Sequence, residues 1–110
     1  MDVKITIRHT EIKPEAEEVI KEELQKIVPY VEGAKGATVI VEKIKHEFKV
    51  EIMIHSHHKD FIASTKAEYL TKAFHDALHK LLTQLKKYND KVHHIEKISI
   101  SKLEEILGEK

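Results

Sequence analysis

Lys72, Lys80, Lys86 and Lys87 are the residues whose type and spacing suggest chemistry first. On a wheel of about 100° per residue, Lys72, His79, Lys80 and Lys87 fall opposite Leu70, Phe74, Ala77, Leu78, Leu81 and Leu85. Lys86 lies on the shoulder between the two faces. Ammonium groups spaced along one side of a helix suit a row of phosphates, which they neutralise as point charges. The same spacing is also the ordinary appearance of a solvated helix face. A second cluster, His55, His57 and His58, invites a metal reading, because strand residues two apart point the same way and imidazoles bind zinc or nickel. No second pair of ligands stands at a supporting spacing, so these read as exposed turn histidines and no metal site is assigned.

The inventory for catalysis is poor. The chain has no cysteine, which excludes a disulfide, a thiolate nucleophile and a Cys-based metal site, and fits a cytoplasmic location. It has no glycine-rich phosphate loop and no Gly-x-Ser-x-Gly turn. Its glutamates cluster on one solvated helix, where acid and base roles lack the burial that separates carboxyl pKa values. No enzyme, no cofactor and no small-molecule substrate is expected. With six aromatics in all, and Phe48, Phe61 and Phe74 needed for the core, base stacking on a sheet is also excluded.

Bulk charge says little, since 19 Lys and Arg balance 19 Asp and Glu. Its distribution says more. Residues 11–24 carry six Glu against two Lys, a net of −4, whereas residues 66–91 carry six Lys against three acids, a net of +3. Segregation of this kind makes local fields that the total hides. No apolar run reaches the roughly 20 residues needed to cross a bilayer, and no signal pattern opens the chain, so no membrane partner is expected.

The elements that position these residues follow from periodicity. Val3, Ile5 and Ile7 alternate with Lys4, Thr6 and Arg8, a half-buried strand. Lys13-Pro14 opens a helix whose stripe is Ala16, Ile20, Leu24 and Ile27, with Val19 beside it, and Pro29 ends it. Gly33 and Gly36 mark a turn. Ala37 to Lys43 reads as a second strand, and Phe48, Val50, Ile52 and Ile54 define a third. Phe61 and Ala63 mark a short fourth strand after the polar turn Ser56 to Lys59. Thr65 followed by Glu68 reads as a capping box for the last long helix, which runs to about Tyr88 or Val92. The fold class is α+β: a β-α-β-β-β-α domain over residues 1–92, its four-stranded sheet covered on one face by two helices. Residues 93–110 form a C-terminal tail, loosely attached or packed on a sheet edge, with a last helical turn from Ser101 to before Gly108.

Two stretches resemble the ribosome hibernation proteins, the family of hibernation-promoting factor and ribosome-associated inhibitor A. One is Ile5-Thr6, Arg8-His9 and Glu11-Ile12; the other is Ala63-Ser64, then Lys80-Leu81, Gln84-Leu85, Lys86-Lys87 and Asp90-Lys91. The resemblance implies a fold that echoes the double-stranded-RNA-binding domain. It implies binding to small-subunit rRNA in the tRNA and mRNA channel and silencing of translation under stress. Arg8, Lys26, Lys80, Lys86, Lys87 and Lys91 match the family's basic surface, and His9 matches a polar position. With Lys72 from the helical stripe, these are the expected RNA-binding residues. Family members add basic residues along the first helix, where this chain has Glu17 and Glu23. The expected partner is the small ribosomal subunit, bound by a short form of the family that is a monomer when free. The alternative is a protein–protein interaction module acting through a sheet edge or the C-terminal tail.

Overall fold

The computed structural model describes residues 2–57, 59–87 and 101–109. The alternation at the start of the chain forms strand β1 (Asp2–Arg8). The chain leaves it through His9, whose backbone is left-handed at φ 62°, a conformation in which histidine is several-fold enriched among non-glycine residues. Pro14 then stands in the first turn of helix α1 (Pro14–Ile27), where its missing N–H has no helical partner to lose. Ala16, Val19, Ile20, Leu24 and Ile27 are the buried stripe of α1. A 3-10 turn over Val28–Tyr30 contains Pro29 and stops the helix.

Helix α1 is a crossover. Strand β1 pairs in parallel with β2 (Ala34–Ile44), and a tight turn cannot join parallel neighbours. Strand β2 pairs antiparallel with β3 (Glu47–Ser56), and β3 antiparallel with β4 (Phe61–Ala67), in the order β1-β2-β3-β4. Gly33 takes the positive φ of 71° at the turn into β2. Gly36 serves differently: a Cβ there would stand 2.9 Å from the Asp2 carbonyl oxygen, so its bare backbone lets β1 approach. Helix α2 (Leu70–Lys86) follows β4 and buries Leu70, Phe74, Ala77, Leu78, Leu81 and Leu85, the row that the wheel predicts. These meet Val39, Val41, Val50, Ile52 and Ile54 of the sheet in a core from which solvent is excluded. Strands β1 and β4 run the same way, so α1 and α2 both start from the same end of the sheet and run back across it. The architecture is α+β, with the expected β-α-β-β-β-α order through residue 86.

Two expectations need correction. Thr65 does not cap the long helix. It lies within β4 opposite Val50, and its hydroxyl donates to the Ala73 carbonyl at 2.6 Å, tying strand to helix. Pairing with β3 holds β4 extended through Ala67, so α2 starts only at Leu70, with no side-chain bond from its N-cap residue Tyr69. The cap comes from the far end of the chain instead. The Glu109 carboxylate accepts from the Leu70 N–H at 3.2 Å, the Thr71 N–H at 2.8 Å and the Thr71 hydroxyl at 2.7 Å.

The second correction concerns the tail. A third helix, α3 (Ser101–Leu107), packs on α1 and α2 rather than on a sheet edge. Leu103 is fully buried, worth on the order of 2 kcal/mol, and Ile106 and Leu107 pack beside it. The Lys13 ammonium donates to the Ile106 carbonyl at 3.1 Å, and Lys102 stands 4.0 Å from Glu22. Helix α3 therefore runs opposite to α1. The expected helix end near Tyr88 or Val92, and the alternation at Ile98 and Ile100, lie outside the described residues. Among the described residues no helix is long and apolar enough to cross a membrane.

Candidate RNA interface

Helix α2 packs on the sheet over β4 and β3, and one of its sides reaches the outer edge of β4. The Lys80 ammonium donates to the Ser64 carbonyl at 3.3 Å and the Gln84 amide to the Ile62 carbonyl at 2.7 Å, which fixes the helix against the strand. Lys72, Lys80 and Lys87 are exposed along α2, and Lys86 is half-buried on the shoulder. Between strand and helix runs a groove of about 330 Å3 lined by Thr65, Lys66, Asp76, His79 and Lys80. Lys66 is absent from the sequence-based set. Its outward position follows from the alternation of β4, but its neighbours depend on strand register and helix placement, which no local pattern specifies.

The register also shows where Arg8 belongs. Arg8, Glu42, Lys49 and Lys66 are successive partners across all four strands, on the face of the sheet that the helices leave open. That row crosses three strand spacings, or about 14 Å. Arg8 therefore joins the lysines of α2 through Lys49 and Lys66, with one carboxylate among the four. Beside the row, the His9 imidazole stands 3.7 Å from Glu42. Lys26 is placed elsewhere. It sits in the last turn of α1, bonded to Glu23 at 3.0 Å. That end of the sheet is the one where β1 begins, beside Val3 and Pro29, opposite to Arg8. Lys91 lies outside the described residues.

Charge within the α2 stripe is uneven. Lys72 bonds Asp76 at 3.2 Å, and the His75 ring nitrogen lies 3.5 Å from the same carboxylate. Burial by itself would raise the Asp76 pKa. Hydrogen bonds from Lys72 and His75, together with their positive charge, outweigh it and hold the carboxyl below its ordinary value. His75 stacks on His79 at 6.5 Å between ring centres. Lys80 differs from Lys72 in bonding a neutral carbonyl, so its charge is not cancelled by that contact.

The histidine turn has a structural use. His55 Nε2 lies 3.3 Å from the Thr38 hydroxyl, and its Nδ1 is 3.6 Å from Asp60. The His57 N–H donates to the Gly33 carbonyl at 3.1 Å. The Ser56 hydroxyl and the Lys59 backbone close the turn on each other. His58 lies outside the described residues. Among those described, no three His, Asp or Glu groups stand together as metal ligands would.

Solved structures share this fold. The structure of a ribosomal subunit interface protein from Coxiella burnetii is similar, with a TM-score of 0.72 and 24% identity, over 80% of this chain and 97% of that one. The N-terminal domain of Protein Y from Thermus thermophilus is similar with a TM-score of 0.69 and 19% identity, over 81% of this chain and 100% of that one. At these identities the likeness establishes the fold. No curated protein matches by sequence. The profile described as Sigma 54 modulation protein / S30EA ribosomal protein matches residues 3–93, from β1 to beyond α2 and short of α3. The chain therefore belongs to the Sigma 54 modulation protein / S30EA ribosomal protein family, whose members are ribosome-binding factors and not enzymes.

Proposed function

We propose that this protein is a ribosome hibernation factor that binds small-subunit rRNA in the tRNA and mRNA channel and inhibits translation under stress. The observation that carries the reading is the row of Arg8, Lys49 and Lys66, interrupted by Glu42, which meets Lys80 at one groove; with Lys86 and Lys87 farther along α2 we read it as one band, in a chain whose net charge is zero. Such a band offers ammonium and guanidinium groups to phosphates on a shaped surface, without the pockets or aromatics that reading base sequence requires. Lys72 contributes at the near end of α2, tempered by Asp76. His9 borders the band through its contact with Glu42. Family membership supplies the ribosome as the polyanion, and a cytoplasmic site of action accompanies it.

Cosedimentation with purified small subunits tests the reading. Between about 50 and 200 mM salt, affinity falls steeply, because each neutralised phosphate releases counterions. Replacing Lys80, Lys86 and Lys87 together by Ala weakens binding and flattens the salt slope by about one unit for each phosphate that is no longer neutralised. In a translation extract the same variant fails to inhibit synthesis. Binding indifferent to salt, or retained in full by the triple variant, overturns the mechanism.

A further inference from the structure

The two edges of the sheet are finished differently. At the β4 edge, Lys80 and Gln84 bond the Ser64 and Ile62 carbonyls, so side chains occupy acceptors that another strand would use. At the β1 edge, among the described residues, no side chain bonds the outward backbone of Asp2–Arg8. That strand contains no proline, and its register with β2 is unbroken over seven residues. Val3, Ile5 and Ile7 point toward the core yet are only partly buried. A regular edge of this kind is a template for a further strand unless something blocks it.

The sequence of the edge says which strand. We propose that β1 pairs antiparallel with β1 of a second copy about a two-fold axis at Ile5, joining two sheets into one of eight strands. In that register Asp2 lies opposite the partner's Arg8, Val3 opposite the partner's Ile7, Lys4 opposite the partner's Thr6, and Ile5 opposite the partner's Ile5. Acid meets base at both ends, apolar side chains meet on the core face, and no like charges stand directly opposite. Neighbouring two-fold registers lose this match. A shift one way puts Lys4 opposite the partner's Lys4, and a shift the other way puts it opposite the partner's Arg8. Like charges directly opposite are destabilising. A slip of one residue is excluded as well, since it pairs core-facing positions with solvent-facing ones. The edge is thus self-complementary in one register, as an interface between identical surfaces must be. On this proposal the free chain self-associates, where the sequence reading expects a monomer. It does not depend on ribosome binding, and its test uses the isolated chain.

Sedimentation equilibrium of the full chain, from about 10 to 500 µM as suits a small interface, gives a monomer–dimer equilibrium. Asp2→Arg alone and Arg8→Asp alone each place like charges at both ends of the pairing and weaken the dimer by roughly tenfold. The double variant Asp2→Arg with Arg8→Asp restores the opposite-charge pairs and recovers affinity to within about threefold. Both positions are exposed, so circular dichroism of each variant stays native. Hydrogen exchange gives a local readout: β1 amides gain protection with concentration in the wild type and not in the single variants. A monomer throughout the range overturns the proposal. So does a dimer that ignores the single changes, or one that the double change fails to restore.

Discussion

Asp76 interrupts the lysines of α2, and its surroundings decide how it behaves in acid. Lys72 at 3.2 Å and His75 at 3.5 Å hold its carboxyl below the ordinary value despite the burial that acts in the other direction. The folded protein thus binds this proton more weakly than the unfolded chain does. Asp76 favours folding above the ordinary carboxylate range, and that contribution is lost as pH falls through the depressed folded value. Asp76→Asn is accordingly less stable than the wild type at about pH 6, and the gap narrows toward pH 2. Urea unfolding at both pH values measures it, and an unchanged gap refutes the assignment. The i,i+4 spacing of Lys72 and Asp76 is legible in the sequence. What it means for the stripe is not, because a wheel ranks Lys72 with Lys80 although one faces a carboxylate and the other a carbonyl.

At the scale of elements, the instructive case is the start of α2. Thr65 and Glu68 have the spacing of a capping box, yet β4 continues through both Thr65 and Ala67 because β3 pairs with it there. A four-residue pattern cannot register a ladder of hydrogen bonds formed with a strand more than ten residues earlier. The true cap, Glu109, is 39 residues from Leu70 along the chain and is equally invisible locally. Elements whose signal is carried by their own residues are legible: the Pro14 start and Pro29 stop of α1, and the leucine row of α2. Gly36 shows the same division: the sequence reads it as part of a turn, but it lies within β2, and its actual reason is the approach of Asp2 from another strand. Because Glu109 satisfies two amides at the positive end of the α2 dipole, Glu109→Ala lowers stability by about 1 to 2 kcal/mol. Glu105→Ala, on the exposed side of α3, changes it by less than about 0.5 kcal/mol. Thermal or urea unfolding of the pair distinguishes a specific cap from a general loss of charge.

Across the whole molecule, a net charge of zero coexists with a surface divided by sign, and topology does the dividing. Helix α1 carries the excess of glutamate on the β1 side, while α2 carries the lysines along the β4 edge. The sheet connects the basic side to Arg8 through Lys49 and Lys66, whereas Lys26 is left at the opposite end against Glu23. Family likeness alone ranks Lys26 with Lys80; the fold separates them. The local potential, not the total, sets how a polyanion is held, and it decays over a Debye length of about 8 to 10 Å at working salt. A cation outside that reach of the band adds little to the contact. Lys49→Ala and Lys66→Ala therefore each weaken small-subunit binding and lower its salt slope by about one unit. Lys26→Ala leaves slope and affinity within error, since its charge is already opposed by Glu23 at 3.0 Å. Equal effects of all three changes mean that the bound surface wraps onto α1 and that the band is not its axis. No effect of Lys49 and Lys66, with a strong one at Lys80, restricts the contact to the outer face of α2.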